Sequence, residues 1–308
     1  MSTDENPPGG LLVTIDVEPD CDAAWRRSDP LAFSSVTKAV PQYLRPLWNK
    51  HGVNPVYFVS PEVLECAKAC EVLAGEAARG AIIGAHLHSE YVPPRVTIEN
   101  PAGKPSREFP CYAHPADTEF EKIKNLTTLI TERIGVRPMW YRAARFGADL
   151  DTIKSLARLG YRYDSSVTPQ INWKPIGGPD HGAAPRQPYN ISADDMYVPA
   201  SPGDDAGIRE YPVSIWGRRL GLLGAFLPEN WLFYNWLRPS HMTLFEMKRL
   251  TDRFFEAYRT PALVMMFHSM EALEGKSPYV KTALGRKLFL SRLDGILGYI
   301  QVKYAARR

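Results

Sequence analysis

The chain has 308 residues, 44% hydrophobic and 23% charged, with a formal net charge of +3, which is apolar material enough for a sizeable core in one large domain or two ordinary ones. The basic excess is mild and no dense Lys/Arg run precedes Arg307-Arg308, so nothing argues for nucleic acid as a partner. No apolar run approaches the ~18 residues of a transmembrane helix. Residues 1–10 are polar and flexible in character and lack the basic and apolar regions of a secretory signal, which predicts a cytoplasmic protein. Cys21, Cys66, Cys70 and Cys111 follow no disulfide or zinc-finger spacing and read as small buried thiols.

Short apolar runs alternate with helix-period segments along the chain. Residues 11–15 read as a buried strand, and a helix is predicted over about 35–50. Residues 55–59 form a second strand; Pro61 suits an early helical position, and the helix runs to about Arg79 before Gly80. Residues 81–88 give a third strand, followed by a Pro-rich loop over about 89–115. A helix over 117–134 stops at Gly135, and residues 139–142 are a fourth strand. A short helix over 151–159 and a fifth strand over 161–164 follow. Residues 168–206 are rich in Pro, Gly, Asn and Asp and read as an irregular excursion. Residues 209–216 and 260–268 are the sixth and seventh strands, with helices over 243–258 and 283–304. The aromatic run from Phe226 to Trp236 reads first as a core-packing helix and second as a lid or stacking platform.

Strand–helix alternation over the whole length predicts an α/β fold, a (β/α)-barrel, incomplete or distorted, with about seven parallel strands. Residues 11–308 form one domain in this reading. No Gly-rich phosphate loop and no Gly-x-Ser-x-Gly elbow is present.

Active sites of parallel barrels sit at the C-terminal ends of the strands. The first strand ends in Asp16 and Glu18, the third in His86, His88 and Glu90, the fourth in Arg142 and Arg145. The fifth ends in Asp164, Ser165 and Ser166, and the seventh in His268, Ser269 and Glu271. On an extended strand, residues two apart share a face, so His86 and His88 can converge on one ion, as can Asp16 and Glu18 on one site. Paired imidazoles suit zinc, nickel, cobalt or iron. Two histidines and a carboxylate around a dication suit metal-assisted hydrolysis: one of Asp16 and Glu18 serves as ligand, the other as base. Arg142 would hold the base ionised, and Asp164 or a neighbour would steer an imidazole. His51, His114, His181 and His241 read as loop or surface histidines.

These motifs, in order, resemble the polysaccharide deacetylase superfamily, carbohydrate esterase family 4, over about residues 11–300. Thr14-Ile15-Asp16-Val17-Glu18 resembles its first motif. The resemblance implies Asp16 as catalytic base and Glu18, displaced by one residue, as metal ligand. His86 matches the first histidine of the second motif; where the family places another four residues on, this chain has Glu90. His86-Leu87-His88 followed by Pro93-Pro94, with the later Gly275-Lys276-Ser277-Pro278-Tyr279, is similar to the WalW-like subgroup, which implies His88 as the replacement ligand. Tyr141-Arg142-Ala143-Ala144-Arg145-Phe146 resembles the third motif without its proline, implying Arg142 beside the base. Tyr163-Asp164-Ser165-Ser166 and Phe267-His268-Ser269-Met270-Glu271 resemble the fourth and fifth, with His268 as general acid. Arg145, Asp164, Ser165 and Glu271 are expected at the substrate. The resemblance implies a Zn2+ enzyme, or one using Co2+ or Ni2+, that removes an acetyl group from an N- or O-acetylated sugar or glycan precursor. Hydrolysis of a small linear or cyclic amide, as in allantoinase-like relatives, and a degenerate carbohydrate-binding role are the alternatives.

Overall fold

The computed structural model describes residues 10–97, 108–217 and 234–307. Its first strand, β1 (Leu11–Val17), lies at the centre of the apolar run expected there. It is followed by a π-helical segment, Ser35–Leu44, that passes into α1 (Arg45–His51). The single helix expected here is thus of two kinds, with Pro41, which has no amide to donate, inside the wider turn. Next come β2 (Val56–Val59), α2 (Ala67–Ala77), β3 (Ile82–Leu87), α3 (Pro110–Ala113) and α4 (Ala116–Ile134). Gly135 closes α4 in the left-handed conformation that its lack of a Cβ allows. Then follow β4 (Trp140–Ala143), α5 (Leu150–Arg158), β5 (Tyr163–Asp164), β6 (Tyr189–Ser192), β7 (Asp205–Glu210), β8 (Ile215–Gly217) and β9 (Tyr234–Trp236). The chain ends with α6 (Leu244–Ala257), β10 (Leu263–His268) and α7 (Ala283–Ala305). No helix among the described residues is long and apolar enough to cross a membrane.

One sheet has the order β10-β1-β2-β3-β4-β5-β7-β6, parallel throughout except where β6 runs antiparallel to β7. It curls into a barrel-like α/β fold. The seam between β7 and β10 is bridged by loop backbone: Ser214 N–H donates to the Val264 carbonyl at 2.9 Å, and Met266 N–H to that of Leu237 at 3.2 Å.

Both faces of the sheet are covered, so its strands read as continuous apolar runs. Val13, Ile15, Val17, Tyr57 and Val59 face the helices in the main core. Leu12, Val56, Phe58, Trp140 and Val264 form a smaller cluster on the other face, inside the curl. Parity then fixes the chemistry: Asp16 shares the inner face with Leu12, Arg142 with Trp140, and His268 with Val264. The register aligns these ends, pairing Asp16 with His268, His86 with Arg142, and Asp164 with Glu210. Gly84 opens room across β3, since a Cβ there would lie 2.6 Å from the Phe58 ring.

Four expectations are corrected. The strand expected over 209–216 is two strands in different sheets: β7 belongs to the barrel, while β8 pairs antiparallel with β9. Pro212, with no amide to donate, lies between them. The 168–206 excursion carries β6 and is not irregular throughout. His181 is fully buried, its Nδ1 accepting from the Thr168 amide at 3.0 Å, and burial pushes its imidazole down to about 3. Of the aromatic run, residues 226–233 lie outside the described residues, and Tyr234–Trp236 is strand, not helix.

Candidate metal centre and active site

Glu18 is the hub. Its Oε1 lies 3.2 Å from Nε2 of His86, 3.3 Å from Nε2 of His88 and 3.7 Å from Nε2 of His268. One donor atom from each of Glu18, His86 and His88 falls within 4.8 Å of the others. All three side chains are buried. Burial opposes charge on Glu18, yet the facing imidazoles hold its carboxyl well below the usual range.

The donors suit a dication. His86 Nδ1 donates to the Arg142 carbonyl at 3.0 Å, which turns Nε2 toward Glu18. His88 has both ring nitrogens buried with no hydrogen-bond partner. Such an orphaned imidazole is costly unless something coordinates it. Glu18, His86 and His88 would supply one oxygen and two nitrogens, a set that favours zinc and its neighbours. Without an ion, burial disfavours charge on His86, but Asp16 and Glu18 outweigh it and raise the imidazole above its ordinary value, which favours a proton on the ring. A bound ion would take the place of that proton.

Arg142 organises the base. It is fully buried over the Phe58 ring, 4.5 Å from its centroid. One Nη donates to Asp16 at 2.7 Å, the other to Ser165 Oγ at 2.8 Å, and Nε to the Ser165 carbonyl at 2.8 Å. Burial raises the Asp16 carboxyl, but Arg142, His86 and His268 outweigh it and hold Asp16 ionised.

His268 is held from behind. Its Nδ1 donates to Glu271 at 2.9 Å, and Glu271 is ion-paired with Arg238. The carboxylate fixes the ring so that Nε2 faces Glu18, and Arg238 keeps that carboxylate well below the usual range despite burial. His88 has a similar pair behind it. Glu62 lies 4.0 Å from its Nδ1 and accepts from the buried Arg27 at 2.8 Å.

The cavity above these groups measures about 420 Å³. Asp16, Glu18, His86, His88 and His268 form its base, and Arg145 part of its wall. Glu90 is turned away to Arg145, 2.9 Å distant, so the geometry gathers His88 with Glu18 and leaves Glu90 out. Substrate contact does not fit Asp164, Ser165 or Glu271, which are fully buried outside this cavity. Ser165 serves Arg142. Asp164 accepts from Ser166 Oγ at 2.7 Å and is paired with Glu210; burial raises both carboxyls, Glu210 most. The imidazole-steering acid is Glu271, not Asp164.

Sequence reasoning passed over Arg27, Glu62, Arg238 and the wall residues Trp25 and Phe109. None ends a strand of the sheet. Glu62 follows β2 in a short 3-10 turn, and a rule extended to the residues just beyond each strand would have found it.

No protein-family model matches the chain, and no curated protein matches it in sequence. Among solved structures, a protein from Mycobacterium smegmatis assigned as a polysaccharide deacetylase aligns over 96% of this chain and 85% of its own, with 18% identity and a TM-score of 0.53. The two share a fold. A family 4 carbohydrate esterase from Streptomyces lividans aligns over 96% of this chain and 89% of its own at 9% identity, with a TM-score of 0.45. A family 4 pseudoenzyme from Bacillus anthracis aligns over 96% and 61% at 10% identity, with a TM-score of 0.46. At such low scores, neither bears on the chemistry.

Proposed function

We propose that the chain is a metal-dependent deacetylase of the polysaccharide deacetylase superfamily, of its WalW-like subgroup, acting on an N- or O-acetylated sugar or glycan precursor. The observation that carries the reading is the convergence of Glu18, His86 and His88 on one point, flanked by an Arg-held Asp16 and a Glu-held His268. Glu18, His86 and His88 would hold the ion, with zinc first choice and cobalt or nickel next. Its chemistry there is to polarise the acyl carbonyl and acidify water. Asp16 is the base that takes the water's proton, because Arg142 holds it ionised and fixed in direction. His268 donates a proton from Nε2 to the leaving nitrogen or oxygen, and Glu271 stabilises the imidazolium that precedes the transfer. Arg145 stands at the wall, its guanidinium paired with Glu90.

Metal analysis of the purified protein and an acetate-release screen of acetylated sugars test this reading. About one ion per chain is expected. Asp16→Asn should retain the ion and lose ~10²–10⁴-fold in turnover, as removal of a general base does. Full activity in that variant would refute the assignment. Ring opening of a cyclic amide without acetate release would move the substrate to the small-amide class.

A further inference from the structure

The cavity wall is built from Trp25, Phe109, Arg145, Phe146, Trp173 and Ile176. Trp25, Arg145 and Phe146 have left-handed backbone, with φ of 60°, 55° and 60°. Only five non-glycine residues among those described adopt positive φ, so three of the five share one wall. In an L-residue this conformation presses Cβ toward the following carbonyl, and it persists only where surrounding structure enforces it.

What the strain presents is aromatic surface. Phe146 stacks on Trp173 at 6.3 Å with 14° between planes, and both rings abut Trp236. Trp25 turns an edge to His268 at 5.9 Å. Gly178 permits the close approach of Phe109, whose ring a Cβ there would strike. Two of the wall's polar groups are engaged elsewhere. The Trp173 indole donates to Thr168 Oγ1 at 2.9 Å, and Arg145 to Glu90 and the Glu108 carbonyl. Hydroxyls of a sugar chain would need partners on leaving water, whereas a flat apolar group needs only ring surface.

The geometry points to a substrate whose scissile acyl bond has an aryl or branched-alkyl group close to the carbonyl, seated in this slot, in place of a bare acetylated polymer. The inference rests on the hydrolytic reading above and narrows it.

The test compares kcat/KM of the zinc-loaded full chain on 4-nitrophenyl N-acetyl-β-glucosaminide and on N,N′-diacetylchitobiose, both followed by acetate release. The aryl substrate should be favoured about tenfold or more, as burial of a ring allows. Trp173→Leu and Trp173→Ala should bring the ratio toward one. In parallel, 4-nitroacetanilide is titrated into metal-free protein with tryptophan fluorescence as the readout. Saturable quenching, weakened in Trp173→Leu, is expected. Equal, measurable turnover of the two substrates, or no saturable quenching, overturns the slot; turnover of the chitobiose would still leave the deacetylase reading standing. Saturable quenching with no turnover of either substrate upholds the slot and removes the hydrolytic reading.

Discussion

The base of the cavity and its wall are constructed in opposite ways. Base residues stand on or next to regular parallel strands, and register alone brings Asp16 level with His268 and His86 level with Arg142. Wall residues stand on loops and short 3-10 turns, and three of them hold backbone conformations that L-residues avoid. The base is polar and backed by buried Arg–carboxylate pairs: Arg142 with Asp16, Arg238 with Glu271, Arg27 with Glu62. Among the described residues, the wall is apolar apart from Arg145. The contrast assigns proton and ion chemistry to the rigid sheet and selection of substrate to loops that can vary without disturbing it.

The largest effect expected from breaking this arrangement is at Arg142. Arg142→Met leaves Asp16 buried without its cation, and loss of one partner of a buried pair costs about 3–5 kcal/mol. Denaturant unfolding of the metal-free protein measures it; a change below ~1 kcal/mol would mean that the base does not depend on the pair.

A smaller effect is expected at Glu119 on α4. Glu119, which accepts from Thr152 at 2.9 Å, has its carboxyl pushed up to about 8, chiefly by burial. The folded state therefore keeps this proton to higher pH than the unfolded chain. Stability from this group is full below the ordinary carboxylate range and declines as pH rises toward 8. Glu119→Gln should flatten that decline in thermal melts taken across the window, and an unchanged slope would assign it elsewhere.

The smallest effect isolates the strain. Phe146→Ala and Phe146→Gly both remove the ring, but only glycine relieves the left-handed backbone. The glycine variant should be the more stable by ~1 kcal/mol. At Ala143, on β4, Ala143→Gly should instead destabilise, because glycine weakens a strand. If Phe146→Gly is no more stable than Phe146→Ala, base and wall do not differ in strain as argued.

The same contrast explains what the sequence made legible. Short apolar runs located six of the seven parallel strands and the last residues of β7, and the residues ending them included every base residue of the cavity. The break at Pro212 escaped because residues 209–216 remain apolar enough on one face to read as one strand. Glu271 was expected at the substrate because it follows a strand end; its role is instead to hold His268, three residues back. Of the wall, Arg145 was expected at the substrate, while most of its aromatic members were not legible. A left-handed Trp25 or Phe146 has no sequence signature, unlike a glycine in the same conformation. Arg238 and Glu62 act through partners 33 and 35 residues away, Glu271 and Arg27, and only the folded chain pairs them.

In the proposed site Glu18, His86 and His88, not Glu90, would hold one divalent ion. Zinc titration of the full chain, with stoichiometry and affinity read calorimetrically for the wild type, His88→Ala and Glu90→Gln, tests it most directly. One tight site is expected in the wild type, its near-complete loss in His88→Ala, and its retention in Glu90→Gln. Tight zinc binding that survives His88→Ala and vanishes in Glu90→Gln would contradict the claim.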